Sequence, residues 1–326
     1  MEFTKRLMNW YHDNKRDLPF RETKDPYHIW VSEVMAQQTQ IVTMIPYYER
    51  WIKVFPTIRD LAQADIEVVL KLWEGLGYYN RARNLHKGAN YVMEHFNGSL
   101  PRDKKQLMEI PGIGDYTSSA IAAIAFDLPE IAVDGNVKRV MARFLNYTEN
   151  VNTRKAHKYF EDYLKEKLAL STVKPSDFVQ ALMELGALVY TPSNTTCAGS
   201  PFKELCACYR GENVGVIPFI PKAKKVPSHK KTVYIDVEGQ HILISNDDSD
   251  GLMKGLMRLP QFDGHLEKEP VIKLVHKFTH LHWDIHVHKL KVPNMTEHFM
   301  LIPIENLKDI TIVTAHRKIL TKLNYL

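Results

Sequence analysis

One stretch, residues 107 to 140, constrains this chain more than any other: LMEIPGIGDYTSSAIAAIAFDLPEIAVDGNVKRV. An apolar turn ends in Pro111, Gly112, Ile113 and Gly114, and the small-residue run Tyr116 to Phe126 has the composition of a tightly packed helix. Two glycines around a branched apolar residue let the backbone turn sharply. That geometry is expected to leave the amides of Ile113 and Gly114 at a helix start, where they favour an anion. A short break with Pro129 then delivers one carboxylate, Asp134, in a DGN turn. Taken alone, PGIG also reads as a plain loop between two helices.

The basic balance of the chain suggests what the anion is. The formal charge is +5, and residues 218 to 231, PFIPKAKKVPSHKK, hold five lysines and three prolines with no acid. Such a segment reads as an extended linker, either a solvated tether or one that lies along DNA phosphates. An apolar fraction of 44% over 326 residues is enough for two folded domains. Three cysteines in so long a chain argue against a disulfide framework and suit a reducing compartment. No apolar run approaches membrane-spanning length, and residues 1 to 20 show no secretory pattern, so the expectation is a cytoplasmic, nucleoid-associated monomer.

Upstream, residues 3 to 14 read as a first helix. Pro26 is expected to open a long helix through DPYHIWVSEVMAQQTQIVTMIPYYERW, with Trp30, Val34, Ile41 and Ile45 on its buried face. Glu33 lies inside this pattern, either turned outward or desolvated, and desolvation would raise its pKa toward the range of a useful acid. Asp134 directly precedes GNVKRVMARF and is placed to cap that helix, which would favour its ionised form. In GLGYY, Gly75 and Gly77 bracket Leu76 before Tyr78 and Tyr79, either a helix-ending glycine with core tyrosines or an aromatic tip able to wedge between bases.

Several strings in one order carry a family likeness: SEVMAQQTQ at 32 to 40, LWEGLGYYNRARNLHKGA at 72 to 89, the glycine turn at 110 to 117, VDGNVKRV at 133 to 140 and QALMELGALVYT at 180 to 191. Together they resemble the MutY-type adenine DNA glycosylases of the helix-hairpin-helix superfamily, over nearly the whole chain. The resemblance implies a mainly α catalytic domain of two helical lobes at 1–215, a basic linker at 216–231 and an α/β, Nudix-like lesion-recognition domain at 232–326. It implies excision of adenine mispaired with 8-oxoguanine or guanine in double-stranded DNA. Glu33 would protonate adenine N7 and help activate water, Asp134 would balance the cationic sugar, and Tyr116 and Asn136 would line the same cleft. Arg16, Phe20, Arg21 and Gln180 fall at the adenine pocket, with Phe20 where tryptophan is commoner. Gln38, Leu76, Tyr78, Gly112, Ile113 and Gly114 fall at DNA-binding positions.

The lyase-active relatives hold a lysine at the position of Tyr116, so a monofunctional enzyme is expected. Family members usually carry four cysteines, separated by six, two and five residues, that bind a [4Fe–4S] cluster. Those intervals here give Tyr190, Cys197, Ser200 and Cys206, so the cluster is expected to be absent, Tyr190 and apolar neighbours filling its volume and packing holding the loop 191 to 210.

After the linker, KTVYIDVEG and QHILISND suggest a hairpin, and GLMKGLMRLPQF a loop and strand. FTHLHWDIHVHKL alternates as a strand, Trp283, Ile285 and Val287 on one face, Asp284, His286 and His288 on the other. A row of histidines invites a metal, yet one straight strand supplies no converging ligands, so a polar sheet face is expected and no metal site. Phe278, Thr279 and His280 resemble the family's Phe-Ser-His tip, which recognises 8-oxoguanine. Two other readings stay open: an endonuclease III-like enzyme for oxidised pyrimidines, and a mismatch-binding scaffold without turnover.

Overall fold

The computed structural model describes every residue except 1, 194–196, 198, 212 and 222–224. In chain order the helices are α1 (Glu2–Asn14), α2 (Pro26–Ala36), α3 (Ile41–Val54), α4 (Ile58–Gln63), α5 (Ile66–Trp73), α6 (Asn80–His95), α7 (Lys104–Glu109), α8 (Asp115–Phe126), α9 (Gly135–Phe144), α10 (Arg154–Ala169), α11 (Pro175–Leu188) and α12 (Ala207–Arg210). There follow β1 (Ser228–Tyr234), β2 (Val237–Glu238), β3 (His241–Ser245), β4 (Gln261–Asp263), β5 (Ile272–Lys277), β6 (His282–His288), β7 (Phe299–Pro303) and α13 (Thr314–Lys322). The chain forms two units, Met1–Ala64 with Arg83–Lys222, and Asp65–Ala82 with Ala223–Leu326. No helix among the described residues is long and apolar enough to cross a membrane.

The first unit is helical, and α2 is its centre. Tyr27, Ile29, Trp30, Val31, Ser32, Val34 and Met35 are all buried, so the helix is enclosed on nearly every side and Glu33 is the one charged residue in the run from Ile29 to Met35. Asp25 caps its start, accepting from the Tyr27 and His28 amides. The long helix expected from Pro26 is in fact two. Gln38 takes φ +56°, Thr39 N–H donates to the Ala36 carbonyl, and α3 starts afresh from Gln40. Four consecutive polar residues, Gln37 to Gln40, hold no apolar side chain to keep the helix against the core, which is why it ends there.

α8 packs on α2 and α11, and its alanines and serines allow the close approach. α9 lies against α11 where Gly186 replaces a side chain, since a Cβ there would stand 2.6 Å from that of Asn136. Around the last cysteines, Phe202 stacks on Phe3 at 4.5 Å, while Cys197, Cys206 and Cys208 are free and buried. Loop 191–210 contains the short helix α12, and its residues 194–196 and 198 lie outside the described residues.

The second unit holds two small sheets, in the orders β4-β1-β6-β5 and β2-β3-β7, with α13 and the early segment Asp65–Ala82. That early segment is tied in by Glu74, which accepts from the Ile312 amide (2.9 Å) and ion-pairs Arg317 (2.7 Å) and Lys71 (3.0 Å). The expected hairpin forms in its shorter part: β2, at the end of the first string, pairs antiparallel with β3 across Gly239 and Gln240. β1 takes no part in it and pairs in parallel with β6, while β3 pairs on its other side with β7. This local pairing is legible in the sequence, but β6 and β7 as neighbours are not, because those pairings are decided by contacts distant in sequence. β1 also begins at Ser228, so residues 228–231 are strand rather than linker, and residues 222–224 of that linker lie outside the described residues.

β6 alternates as expected, with Trp283, Ile285 and Val287 buried, but begins at His282. Residues 278 to 281 form the turn from β5, closed by Phe278 N–H donating to the Leu281 carbonyl. On the polar face the single-strand argument against converging ligands fails: His265, from the turn after β4, approaches Asp284 and His286.

Candidate active site

Three elements bring the sequence-expected carboxylates together. α2 presents Glu33, α8 presents Tyr116, and the Tyr116 hydroxyl donates to Glu33 Oε2 at 2.8 Å. Burial pushes the Glu33 carboxyl up to about 7, and the charge of Asp134 adds to the rise; the Tyr116 hydrogen bond and Arg21 oppose it. Glu33 is therefore the desolvated carboxyl of the two alternatives its sequence left open. Tyr116 is itself pushed well above its ordinary value by burial and by the negative charges of both Glu33 and Asp134, so its phenol stays protonated.

Asp134 caps α9, its Oδ1 accepting from the Val137 amide at 2.7 Å and its Oδ2 from Asn136 Nδ2 at 2.7 Å. Both donors carry only protons to give, so both carboxylate oxygens act as acceptors, which suits the ionised form. The capping bond favours the ionised form, as expected from the sequence, but it is not the largest influence. Burial raises the pKa above the usual carboxylate value, against the hydrogen bonds from Val137 and Asn136 and the charge of Arg139.

A second layer holds these groups, and the sequence reading missed it. Arg139 donates to Asn136 Oδ1 (2.7 Å), to the Gly186 carbonyl (2.9 Å) and to the Tyr190 carbonyl. It thereby turns the Asn136 amide so that its NH2 group faces Asp134. Glu184 on α11 has no exposed side chain and gathers two arginines, Arg16 (2.7 and 2.8 Å) and Arg21 (2.6 Å). Burial works to raise the Glu184 pKa, but the hydrogen bonds of Arg16 and Arg21 win and hold it at about 2. The signal was an acid at the centre of the apolar string QALMELGAL, where a charge must find a partner.

The expected adenine-pocket residues lie in this unit. Phe20 makes an edge contact with Tyr48 at 5.8 Å, and Gln180 gives its amide proton to the Ser176 carbonyl at 3.1 Å, leaving its oxygen open. At the glycine turn, Gly112 takes φ +87° and sits where a Cβ would meet that of Asn84 at 2.7 Å. The Ile113 amide is not available to an anion as expected, since it donates to the Ile110 carbonyl at 3.0 Å and its side chain is buried. Gly114 caps α8 with no side-chain bond, so the amides at that helix start face no capping group.

In the second unit, Tyr78 is 46% exposed at φ +49° with the Arg81 guanidinium 5.5 Å from its ring, as a protruding aromatic should be. Leu76 is buried, contrary to a DNA-facing role, because its carbonyl is held by Arg81 and the loop folds inward there. Thr279 and His280 are exposed at the β5–β6 turn, and Phe278 packs edge-on to Trp283 at 4.9 Å.

Of the four cluster-spaced residues, the Tyr190 and Ser200 hydroxyls bond each other at 2.7 Å, and Cys206 Sγ donates to the Arg143 carbonyl at 3.2 Å. Two hydroxyls satisfied by each other and two thiols do not match the four-thiolate donor set of a [4Fe–4S] cluster.

Comparison with known proteins places this geometry. Residues 31–166 match the HhH-GPD superfamily of base excision DNA repair proteins. The chain is 37% identical over 265 residues to the adenine DNA glycosylase of Buchnera aphidicola (strain Bp), covering 80% of this chain and 74% of the relative. It is 42% identical over 229 residues to the adenine DNA glycosylase of Mus musculus, covering 67% of this chain but only 44% of that protein, so it spans less than half the length of its mammalian relative. A thermostable thymine-DNA glycosylase superimposes with a TM-score of 0.57 at 27% identity, over 64% of this chain and 95% of that one. An endonuclease III–DNA complex superimposes at 0.52 and 21% identity, over 65% and 98%, which shows a common fold.

Proposed function

Since the chain belongs to the adenine DNA glycosylase family, we propose that it releases adenine mispaired with 8-oxoguanine, or with guanine, from double-stranded DNA. The observation that carries this reading is the pairing of a neutral-capable Glu33, held by Tyr116 and raised in part by the charge of Asp134, with an Asp134 that accepts a hydrogen bond on each oxygen.

The chemistry follows from that division. The C1′–N9 bond breaks with its electron pair leaving on adenine, and an adenine anion is too poor a leaving group at neutral pH. Glu33, with a pKa near 7, is half protonated there and gives its proton to N7. Asp134, facing the developing cationic sugar, balances its charge or bonds to it transiently, while Asn136, aimed by Arg139, holds the carboxylate in place. Glu33, now a carboxylate, takes a proton from water as its oxygen reaches C1′, and an abasic site remains. Arg16 and Arg21, locked by Glu184, form a fixed wall for the extruded base.

The hydroxyl of Tyr116 offers no amine to form a Schiff base, which supports a monofunctional enzyme. The hydroxyl pair Tyr190–Ser200 supports a member without the iron–sulfur cluster. Iron and sulfide analysis after purification without oxygen should find neither in stoichiometric amount; one cluster per chain would refute that part. For the activity itself, the test is adenine release from duplexes carrying A opposite 8-oxoguanine, G or T. Release from the first two and not the third is expected. Binding without release would favour a mismatch scaffold, and release of an oxidised pyrimidine instead would favour the endonuclease III-like reading.

A further inference from the structure

The sheet face opposite Trp283 carries a group of ligands that base release does not use. On β6 the pleat sends Trp283, Ile285 and Val287 into the core and leaves Asp284 and His286 on the other side. The third member comes from a different element. β4 pairs with β1 as far as Asp263, and Gly264 then turns at φ +92°. Its amide donates to the Lys230 carbonyl at 3.0 Å, and its carbonyl accepts from Thr232 Oγ1 at 2.8 Å. A turn anchored at both ends fixes where His265 goes. Its ring stacks on His286 with centroids 3.5 Å apart and planes within 7°. Its Nε2 donates to the Asp284 carbonyl at 2.9 Å and lies 3.8 Å from Asp284 Oδ2.

We propose that His265, Asp284 and His286 form a binding site for one divalent transition-metal ion of the zinc type. One ligand atom from each of the three lies within 4.8 Å of the others, and no other such group converges among the described residues. Zinc bonds of about 2.0–2.2 Å need ligand atoms about 3.5 Å apart and the ion in the plane of each imidazole, so the stacked rings tilt apart and the ligand atoms close by about an ångström as the ion enters. A second observation points the same way: among the described residues the buried His286 Nδ1 has no hydrogen-bond partner. Two imidazoles and one carboxylate suit zinc over calcium or magnesium, which prefer oxygen. The Asp284 side chain is 40% exposed, which leaves the ion an outward position for water. The hydrogen bond from His265 to the Asp284 carbonyl orients the ring before the ion arrives. Bound there, the ion fastens the turn after β4 to β6, the strand that continues from the 278–281 tip.

The test is zinc titration of the full-length protein, stripped with a chelator and dialysed, against a chromophoric competitor. One zinc per chain is expected, with affinity falling more than about tenfold in both His265→Gln and Asp284→Asn. His241→Gln, on the other sheet, and Cys206→Ser should bind as the unmodified protein does, and zinc should raise the melting temperature of the unmodified protein but not of the two ligand variants. Absence of stoichiometric zinc, or full affinity in either ligand variant, overturns the site. If a variant loses its native circular dichroism, cobalt bound to the unmodified protein decides. Nitrogen- and oxygen-type ligand-field bands support the site, and sulfur-to-cobalt charge transfer overturns it.

Discussion

Glu33 and Asp134 carry the same chemical group, and their surroundings make them different reagents. Among the described residues Glu33 has one donor, Tyr116, in a desolvated position on a buried helix, whereas Asp134 has a donor on each oxygen. Glu33→Gln should keep DNA binding and lower the rate of base release by about 10²–10⁴-fold in single-turnover kinetics. The same raised pKa makes Glu33 a cost to folding. Its carboxyl, near 7 when folded and about 4.5 when unfolded, is bound to more protons in the native state between those values, so stability falls as pH rises through that window. Urea midpoints should therefore show Glu33→Gln more stable than the unmodified protein at pH 8, by up to about 3 kcal/mol, and no different at pH 4. Tyr116→Phe removes the hydrogen bond that lowers the Glu33 pKa, so the alkaline limb of the pH–rate profile should move to higher pH. At this scale the sequence was most legible. Glu33, Tyr116, Asp134 and Asn136 come together as the family resemblance implied, Tyr116 on Glu33 and Asn136 on Asp134. Arg139 and Glu184 were not legible as site residues, since their meaning lies in partners on other helices, Asn136 and Gly186 for one, Arg16 and Arg21 for the other.

The elements position this chemistry by backbone approach at two glycines. Gly112→Ala would place a Cβ against Asn84 at a positive φ and should cost roughly 1–3 kcal/mol in urea unfolding while weakening DNA binding. Gly186→Ala would press on Asn136 itself, so base release should fall further than stability does; equal losses in both would argue that Asn136 has no positioning role. The helices around the glycine turn were readable from composition and punctuation. The break at Gln37–Gln40 was missed because flanking apolar spacing continued across it and only the polar content of the gap told otherwise. The local hairpin of β2 with β3 was readable, but the longer pairings of β1 with β6 and of β3 with β7 were not, because those neighbours lie some fifty residues on. His265 was likewise invisible as a neighbour of His286 until the turn at Gly264 brought it there.

The whole molecule comprises a helical unit that holds the carboxylates and an α/β unit whose exposed turn bears Thr279 and His280. Its net charge of +5 and the lysines of residues 218 to 231 predict that affinity for duplex DNA falls steeply with salt, with log affinity linear in log salt concentration. Borohydride trapping should yield no covalent complex comparable to that of a lyase, because Tyr116 cannot form an imine. The most direct measurement is the pH dependence of single-turnover adenine release from an A:8-oxoguanine duplex, made with saturating protein and repeated with Glu33→Gln. The account predicts a rate that declines above about pH 7 in the unmodified protein and a residual, flat profile in the variant. A Glu33→Gln protein that releases adenine at the unmodified rate, with the same profile, would contradict it.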